Sequence, residues 1–214
     1  MKIYVVGSSK NRFIPLDNIR EKYLVDAVHD GDNIDSLNPW YCELTGLYYL
    51  WKHCEDDIVG LEHYRRYFVN SQYKLLSETE IKALLGTHDI ICIYSPYDNV
   101  PVITWINNHN MRGYFERFLR FSKQYIGNDF YTAGWKILNG NYHCLGNMFI
   151  SKKELIDEYC EMIFDLLEKF ILCEQSYNRQ LPYRICGYFT EFLFAAWLEL
   201  KHKKVFWNMY TLVR

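Results

Sequence analysis

The chain has 214 residues, of which 50% are hydrophobic and 18% aromatic, and its formal net charge is −2. This length and apolar content suit one α/β domain with a packed core, so we predict a single domain over residues 1–214. Because the net charge is slightly negative, the chain has no overall positive charge that would attract nucleic acid. No apolar run reaches the roughly 18–20 residues of a membrane-spanning helix.

Cysteine and tyrosine usage add further limits. The seven cysteines are odd in number and none has C-x-x-C spacing, so neither a zinc ribbon nor a disulfide scaffold fits. We expect reduced core cysteines, and with no signal-peptide pattern at the start we expect a cytoplasmic protein. The nineteen tyrosines leave two explanations open, a sugar- or base-binding cleft and a compositional bias.

A strand followed by a helix is predicted near the start of the chain. Lys2–Val6 is a short apolar run that stops at Gly7–Ser9, which is typical of the first strand of a doubly wound nucleotide-binding sheet. Asn38 and Pro39 predict the N-cap and first position of a helix. Apolar spacing extends this helix over Trp40–Cys54.

The next strand leads into a cluster of cationic and aromatic residues. Ile58–Leu61 is an apolar run of strand length, and His63, Tyr64, Arg65 and Arg66 follow it. Ligands of open α/β sheets bind beyond the carboxyl ends of the strands. Because guanidinium groups match phosphate oxygens, this cluster indicates a phosphate or diphosphate site. The alternative is that one arginine pairs with a core carboxylate and the other is solvated.

Capping signals and apolar runs define the elements that follow. Ser77 and Glu80 predict a capping box before a helix over Ile81–Leu85. His88–Tyr94 predicts another strand, which is followed by a loop beginning at Ser95-Pro96.

The last third of the chain predicts mainly helices. The Arg112–Tyr125 segment is predicted to be helical with an inner face of four aromatic residues, namely Tyr114, Phe118, Phe121 and Tyr125. A strand ends at Ile150, and Ser151 is the predicted N-cap of a helix that runs to about Cys173. An aromatic helix beginning near Glu191 and ending at Leu200 comes last.

Candidate metal ligands are few. Asp56 and Asp57 precede their strand and therefore belong at its opposite, amino-terminal end. Glu62 and His63 are better placed, but one carboxylate and one imidazole make a thin ligand set for a hard cation. We therefore expect a site that requires no metal cofactor, with Mn²⁺ or Mg²⁺ as the alternative.

Two further groups of polar residues are candidates for chemistry. Glu191 lies among Phe192, Phe194 and Trp197. An apolar surround raises the pKa of a carboxyl group toward the working pH, which suits a general base. A role at the positive end of the helix dipole is the alternative. Asparagine and histidine suit sugar hydroxyls, and a polar segment contains several of them, namely Asn139, Asn141, His143 and Asn147. Ordinary turn residues are the alternative there. Glu43 could bind ribose or base hydroxyls, and an ordinary polar residue in the first turn of its helix is the alternative. No signature of other catalytic classes is present.

Several of these segments together resemble a known family. The matching segments, in order, are Gly31-Asp-Asn-Ile34, Asn38-Pro-x-Tyr-Cys-Glu-Leu-Thr45, Ile58-x-Gly-Leu-x-His-Tyr-Arg-Arg-Tyr-Phe68, Asn147-Met-Phe-Ile150 and Arg184-x-x-Gly187 with Glu191. The chain is similar to the bacterial capsular and exopolysaccharide biosynthesis family long described as a domain of unknown function, whose members are regarded as glycosyltransferases. The resemblance implies an α/β fold, a single GT-A-like Rossmann-type domain with a central mixed, mostly parallel sheet flanked by helices.

The resemblance also implies a reaction and a set of site residues. A sugar, galactose or galactofuranose in some relatives, would pass from a UDP-linked donor to a capsular or exopolysaccharide acceptor, with Glu191 as base in an inverting mechanism. His63 would assist catalysis at the diphosphate, and the remaining implied donor contacts are Arg65, Arg66, Tyr64, Glu43, Asp32 and Asn33. The implied sugar or acceptor contacts are His143, Asn147 and Arg184.

The implied acceptor is a lipid-linked oligosaccharide at the inner face of the cytoplasmic membrane. The basic segment Lys201–Lys204 could make a peripheral membrane contact there, although a solvated helix end is the alternative. The chain departs from the family pattern at Ser8-Ser9, where relatives have His-Lys, and at Phe192, where they often have Arg. Phe192 and the absence of a clear metal motif favour one rival from another class, a non-catalytic carbohydrate- or nucleotide-binding protein that retains the fold.

Overall fold

The computed structural model describes residues 1–94, 100–141, 143–208 and 210–212. The predicted loop start at Ser95-Pro96 lies outside these residues. Eight strands are found in the described part of the chain: β1 (Lys2–Gly7), β2 (Arg20–Leu24), β3 (Ile58–His63), β4 (Arg66–Phe68), β5 (Ile90–Tyr94), β6 (Cys144–Lys152), β7 (Val205–Asn208) and β8 (Tyr210–Leu212). The same residues form eight α-helices: α1 (Asn38–Tyr41), α2 (Leu44–His53), α3 (Glu78–Leu85), α4 (Val102–Asn108), α5 (Arg112–Tyr125), α6 (Asn128–Asn139), α7 (Lys153–Ser176) and α8 (Ile185–Leu200).

All the strands belong to one mixed sheet. The main path has the order β2-β1-β3-β6-β5-β7, and β4 and β8 extend it beside β3. β6 is antiparallel to both β3 and β5, whereas the other pairings on the path are parallel. The predicted mixed, mostly parallel sheet is therefore confirmed. Its topology places the carboxyl ends of β1 and β3 beside the beginning of β6.

Helices cover both faces of the sheet, because apolar side chains of the strands point alternately to one face and the other. Ile3 of β1 and Ile150 of β6 face a smaller apolar layer that includes Ile81 of α3. Val6 of β1 and Phe149 of β6 face the larger core that contains the long helices α7 and α8. Since successive strand residues point to opposite faces, these buried runs have no polar face and read as continuous apolar segments.

Several local predictions are confirmed. The first strand and α5 lie where the apolar patterns placed them. Both hydrogen bonds of the predicted capping box are present between Ser77 and Glu80. All seven cysteines are free, and six of them are buried. In the described part of the chain no helix is both long and apolar enough to cross a membrane.

The predicted helix over Trp40–Cys54 is wrong in one respect that matters for the site. The chain breaks at Cys42, whose φ of 52° and ψ of −125° separate α1 from α2. Asn38 is the first residue of α1 and makes no side-chain cap. The break coincides with a tertiary contact, because the Arg184 N–H donates to the Pro39 carbonyl at 2.9 Å. Glu43 consequently stands at the N-cap of α2.

Three other predictions need correction. Ser151 lies in β6 and its hydroxyl donates to the Asp89 carbonyl at 2.9 Å, so it does not cap α7. The α5 inner face is shifted by about one residue: Phe115, Phe118, Leu119 and Ser122 are its buried residues. Tyr125 is 54% exposed. α8 begins at Ile185, so Glu191 lies in its second turn and not at the start of the helix.

Candidate functional site

A cleft of about 290 Å³ opens at the carboxyl ends of β1 and β3. Six polar residues among those that line it come from separate segments of the chain, namely Ser8, Asn11, Asn38, Glu43, His63 and Arg184. Larger surface depressions exist elsewhere, but this cleft is where predicted site residues converge on a strand edge. That position is the usual ligand site of open α/β sheets.

Glu43 and Asn147 form the polar centre of the cleft wall. The Asn147 amide donates to Glu43 Oε1 at 2.7 Å and to the Gly187 carbonyl at 3.2 Å. Because a carbonyl oxygen only accepts, the second contact fixes the orientation of the amide. Glu43 is 6% exposed. Burial first, and then the negative Glu191, raise the pKa of Glu43 to about 7, against the lowering effects of Asn147 and Arg184.

Unusual backbone conformations hold this centre in place. Cys42, Asn147 and Arg184 have φ values of 52°, 54° and 65°, in the left-handed region that non-glycine residues seldom adopt. At Asn147 the pairing of β6 with β5 shifts register, which is the mark of a β-bulge. The bulge turns the Asn147 side chain toward Glu43. Strained residues of this kind cluster at functional sites.

The start of α8 completes the wall. Arg184 lines the cleft from the N-cap of α8, where its φ is 65°. Gly187 and Glu191 are four residues apart, so they lie on the same side of the helix behind it. A Cβ atom on Gly187 would lie 3.5 Å from Glu43 Oε1, which shows how closely the helix approaches the carboxyl group.

Glu191 also contacts His143, which the sequence placed among the sugar-binding candidates. Glu191 Oε2 lies 3.6 Å from His143 Nε2, and the side chains are 16% and 0% exposed, respectively. Phe192 is 1% exposed, and its ring packs against Phe115 and His143 at 5.4 and 4.7 Å between centroids. A phenylalanine at this position thus fills core space, where an unpaired arginine would be costly to bury.

His63 ends β3 and lines the cleft. A Cβ atom on Gly146, which has a φ of +62°, would lie 2.8 Å from His63 Cε1, so the glycine allows the ring to pack against the bulge. Burial first, and then the positive Arg66, lower the pKa of His63 to about 4. The imidazole is therefore neutral near pH 7 and contributes hydrogen bonding without a positive charge. Its buried Nε2 atom has no hydrogen-bond partner among the described residues.

Arg65 lies in the turn between β3 and β4, and Arg66 is the first residue of β4, where it pairs with His63. The Arg65 side chain is exposed and its guanidinium lies 4.9 Å from the centroid of the Tyr64 ring. Arg66 Nε has no hydrogen-bond partner in the part of the chain that the structure describes. Neither arginine serves the nearby core carboxylate, Glu62.

Glu62 has a different arginine as its partner. Arg20 Nε donates to Glu62 Oε2 at 2.7 Å, and both side chains are fully buried. Glu62 Oε1 also accepts the Phe68 backbone N–H at 3.0 Å. With both oxygens engaged, Glu62 is a structural carboxylate, and its place beside His63 in the sequence does not make it a metal ligand. Across the described ranges, no group of three or more potential ligands could hold a metal ion.

Asp32 and Asn33 are not brought to the cleft. Asp32 accepts the Tyr48 hydroxyl at 3.0 Å, and the Asn33 amide donates to the carbonyls of His29 and Gly31 at 2.7 and 3.0 Å. These bonds hold the loop before α1 against α2. Both residues therefore occupy structural positions in this conformation.

Sequence reasoning missed several residues that shape the cleft. Ser8 and Asn11 line it, and Asn11 Oδ1 accepts both the N–H and the hydroxyl of Ser8 at 2.6 and 3.0 Å. Polar residues directly after the first strand were the available signal. The roles of Cys42 and Gly146 had weaker signals, since only the Gly146-Asn147 dipeptide hinted at a bulge.

A family model covers nearly the whole chain. Residues 2–204 match the family described as "Domain of unknown function (DUF4422)". The chain belongs to the DUF4422 family. No curated protein matches the sequence.

The DUF4422 domain is also similar to a solved structure titled "WbbM bifunctional glycosytransferase apo structure", with 21% sequence identity and a TM-score of 0.81. The match covers 99% of this chain and 45% of that chain. At this level of identity the likeness concerns the fold. The DUF4422 chain thus has the α/β fold of a segment within a longer protein that is named as a glycosyltransferase.

Proposed function

We propose that this DUF4422 protein is a glycosyltransferase that moves a sugar from a nucleotide-diphosphate donor to a glycan acceptor. The observation that carries the proposal is the convergence of Glu43, His63 and Arg184 at one strand-end cleft. The fold likeness to a protein named as a bifunctional glycosyltransferase supports the same reaction class.

The proposed donor is UDP-linked, with galactose or galactofuranose as the transferred sugar. Arg184, which lines the cleft, would supply positive charge for the diphosphate together with Arg65 in the β3–β4 turn and Arg66 at the start of β4. Charge on the leaving group is the main electrostatic demand of such a reaction. His63 Nε2, which has no hydrogen-bond partner among the described residues, would bond to a hydroxyl group of the nucleotide sugar, because a hydroxyl can both donate and accept. Asp32 and Asn33 have no part in this arrangement.

Glu191 is the proposed base of an inverting transfer. It would take the proton of the acceptor hydroxyl as that oxygen attacks the anomeric carbon and the nucleotide diphosphate leaves. The His143 contact at 3.6 Å supports the assignment, because it restrains the carboxylate. The proposed acceptor is a growing capsular or exopolysaccharide chain carried on a lipid at the cytoplasmic membrane.

Donor turnover tests the proposal. Release of UDP would be measured with a panel of UDP-sugars, with and without Mn²⁺, for the wild type and for Glu191→Gln. We expect turnover with at least one UDP-hexose and loss of that turnover in the variant. Glu199→Gln, which changes a carboxylate on the same helix that pairs with Lys136, is the matched control.

A thermal-shift series provides the second readout. A ligand that binds the folded chain raises its apparent stability by mass action. The absence of a shift with every nucleotide and nucleotide sugar would contradict the proposal. Binding without turnover across donors and acceptors would instead support a non-catalytic binding protein.

A further inference from the structure

Two carboxyl groups from distant parts of the chain approach each other near Gly187, and one of them, Glu43, lines the cleft. Glu43 stands at the N-cap of α2, and Glu191 lies on α8, four residues after Gly187. Glu43 Oε1 and Oε2 lie 3.5 and 3.7 Å from the point that a Cβ atom would occupy on Gly187. Residues four apart on a helix have Cβ atoms about 5–6 Å apart, so Glu191 projects beside the Glu43 carboxylate.

We infer that Glu43 and Glu191 form a carboxyl pair in which Glu43, the more buried member, keeps its proton and Glu191 serves as the base. In this pair Glu43 is a positioning residue, which acts on Glu191 through its own charge. Its role in transfer rests on the proposed function, whereas the pair itself rests on the geometry around Gly187.

The surroundings of Glu43 favour a single charge. Its neighbours are Asn147 from β6, Cys42 from the α1–α2 break, and Arg184, Gly187 and Glu191 from α8 and its N-cap. Arg184 is the one cation among these neighbours in the described structure, and it faces two carboxyl groups. Two like charges in a site from which water is largely excluded cannot both ionise readily, so one of them keeps a proton.

Burial decides which member keeps the proton. Glu43 is 6% exposed as a residue, whereas the Glu191 side chain is 16% exposed and contacts His143. Because burial penalises the ionised form, the more buried carboxyl is the one that stays protonated. The direction of the Glu43 pKa, raised by burial and by Glu191, agrees with this assignment.

The pair has a defined part in the transfer step. The acceptor O–H bond breaks and its proton goes to Glu191, while the acceptor oxygen forms a bond to the anomeric carbon. The bond from that carbon to the diphosphate oxygen breaks, and its electron pair leaves with the nucleotide diphosphate. Ionisation of Glu43 adds a negative charge beside Glu191 and so strengthens the base.

Carbon-13 NMR of glutamate-labelled protein tests the pair without any substrate. We expect one carboxyl signal to titrate near pH 7. That signal should be absent in Glu43→Gln and should move down by about one pH unit or more in Glu191→Gln, because the repelling charge is gone. In Asn147→Ala it should move up, because the hydrogen bond that stabilises the ionised form is lost. Glu174→Gln, which alters another buried carboxylate, should leave it in place.

The outcomes separate this inference from the proposed function. If no glutamate titrates above about pH 6, or if Glu191→Gln leaves the signal in place, the pair is overturned whatever the enzyme does. A coupled titration in a chain that turns over no nucleotide sugar would overturn the proposed function and leave the pair standing.

The pH profile supplies the functional readout in an active enzyme. Wild-type kcat/KM with UDP-galactose should rise as Glu43 ionises, and Glu43→Gln should lose that rise. An equal loss of activity at every pH would mark Glu43 as merely structural and would overturn its positioning role.

Discussion

The side-chain amide of Asn147 donates a 2.7 Å hydrogen bond to the carboxylate of Glu43, which lies 104 residues earlier in the chain. This bond links the β6 bulge to the N-cap of α2 and places a buried carboxylate in the cleft wall.

Replacement of Asn147 should separate the cost of its hydrogen bond from the cost of its backbone conformation. Asn147→Gly and Asn147→Ala both leave the buried Glu43 carboxyl without its amide donor, which costs roughly 1–3 kcal/mol. The alanine variant should lose about 1 kcal/mol more, because its Cβ is disfavoured at a φ of 54°. Urea unfolding of the two variants measures the difference, and equal stabilities would show that the bulge relaxes.

The buried pair of Arg20 and Glu62 should behave as a structural unit. Arg20→Met leaves a fully buried carboxylate without its cation, so the free energy of unfolding should fall by about 3–5 kcal/mol. Lys82→Met, which breaks the exposed pair with Glu78, should cost no more than about 1 kcal/mol. Chemical denaturation of both variants makes the comparison, and a loss in Arg20→Met as small as the control would contradict it.

Arg65 and Arg66 should contribute to diphosphate binding. Charge-assisted hydrogen bonds are worth roughly 1.5–3 kcal/mol, so Arg65→Ala or Arg66→Ala should weaken UDP binding by about 10- to 100-fold. Binding of uridine, which has no phosphate, should change little in either variant. Calorimetric titration with both ligands tests this.

A control arginine makes the test of Arg65 and Arg66 specific. Arg120 is an exposed residue of α5 that pairs with Glu116, and Arg120→Ala should leave UDP binding unchanged. Equal losses for UDP and uridine in the Arg65 and Arg66 variants would place these side chains outside the diphosphate site.

His63 should make stability depend on pH. Its pKa of about 4 in the folded state lies below the usual 6.5, so the unfolded chain binds more protons between these values. Stability from His63 is therefore complete above pH 6.5 and is lost as the pH falls toward 4. Between pH 7 and pH 5, wild type should lose about 2 kcal/mol relative to His63→Gln.

Glu43 should make stability depend on pH in the opposite direction to His63 over much of the same pH range. Its pKa is raised from 4.5 to about 7, so its contribution is present at low pH and is lost as the pH rises through 7. Glu43→Gln should therefore lose stability on acidification relative to wild type, whereas His63→Gln should gain it. Urea midpoints at pH 5 and pH 7 for the three proteins decide this, and parallel changes in all three would refute both assignments.

Local patterns in the sequence determined many of the elements. The apolar runs placed β1, the helical spacing placed α5, and the Ser77–Glu80 spacing predicted a cap that the structure contains. These features depend on residues within a few positions of one another. The strand-end position of His63 was predictable for the same reason, because a short apolar run stops two residues before it, at Leu61.

Tertiary contacts decided the rest. The break at Cys42 and the bulge at Asn147 exist where segments about a hundred residues apart bond to one another, and no local pattern reports such a bond. The partner of Glu62 was likewise distant, so the cation in the core is Arg20 and neither arginine that follows β3 pairs with Glu62.

The sequence by itself thus determined the fold class, the order of most elements and the segments that carry the site. Only the tertiary structure decided that Glu43 is buried against Asn147 and Gly187 and that Asp32 and Asn33 support a loop. The physical reason is that propensity and periodicity act over a few residues, whereas burial and charge pairing depend on which distant segments the fold brings together.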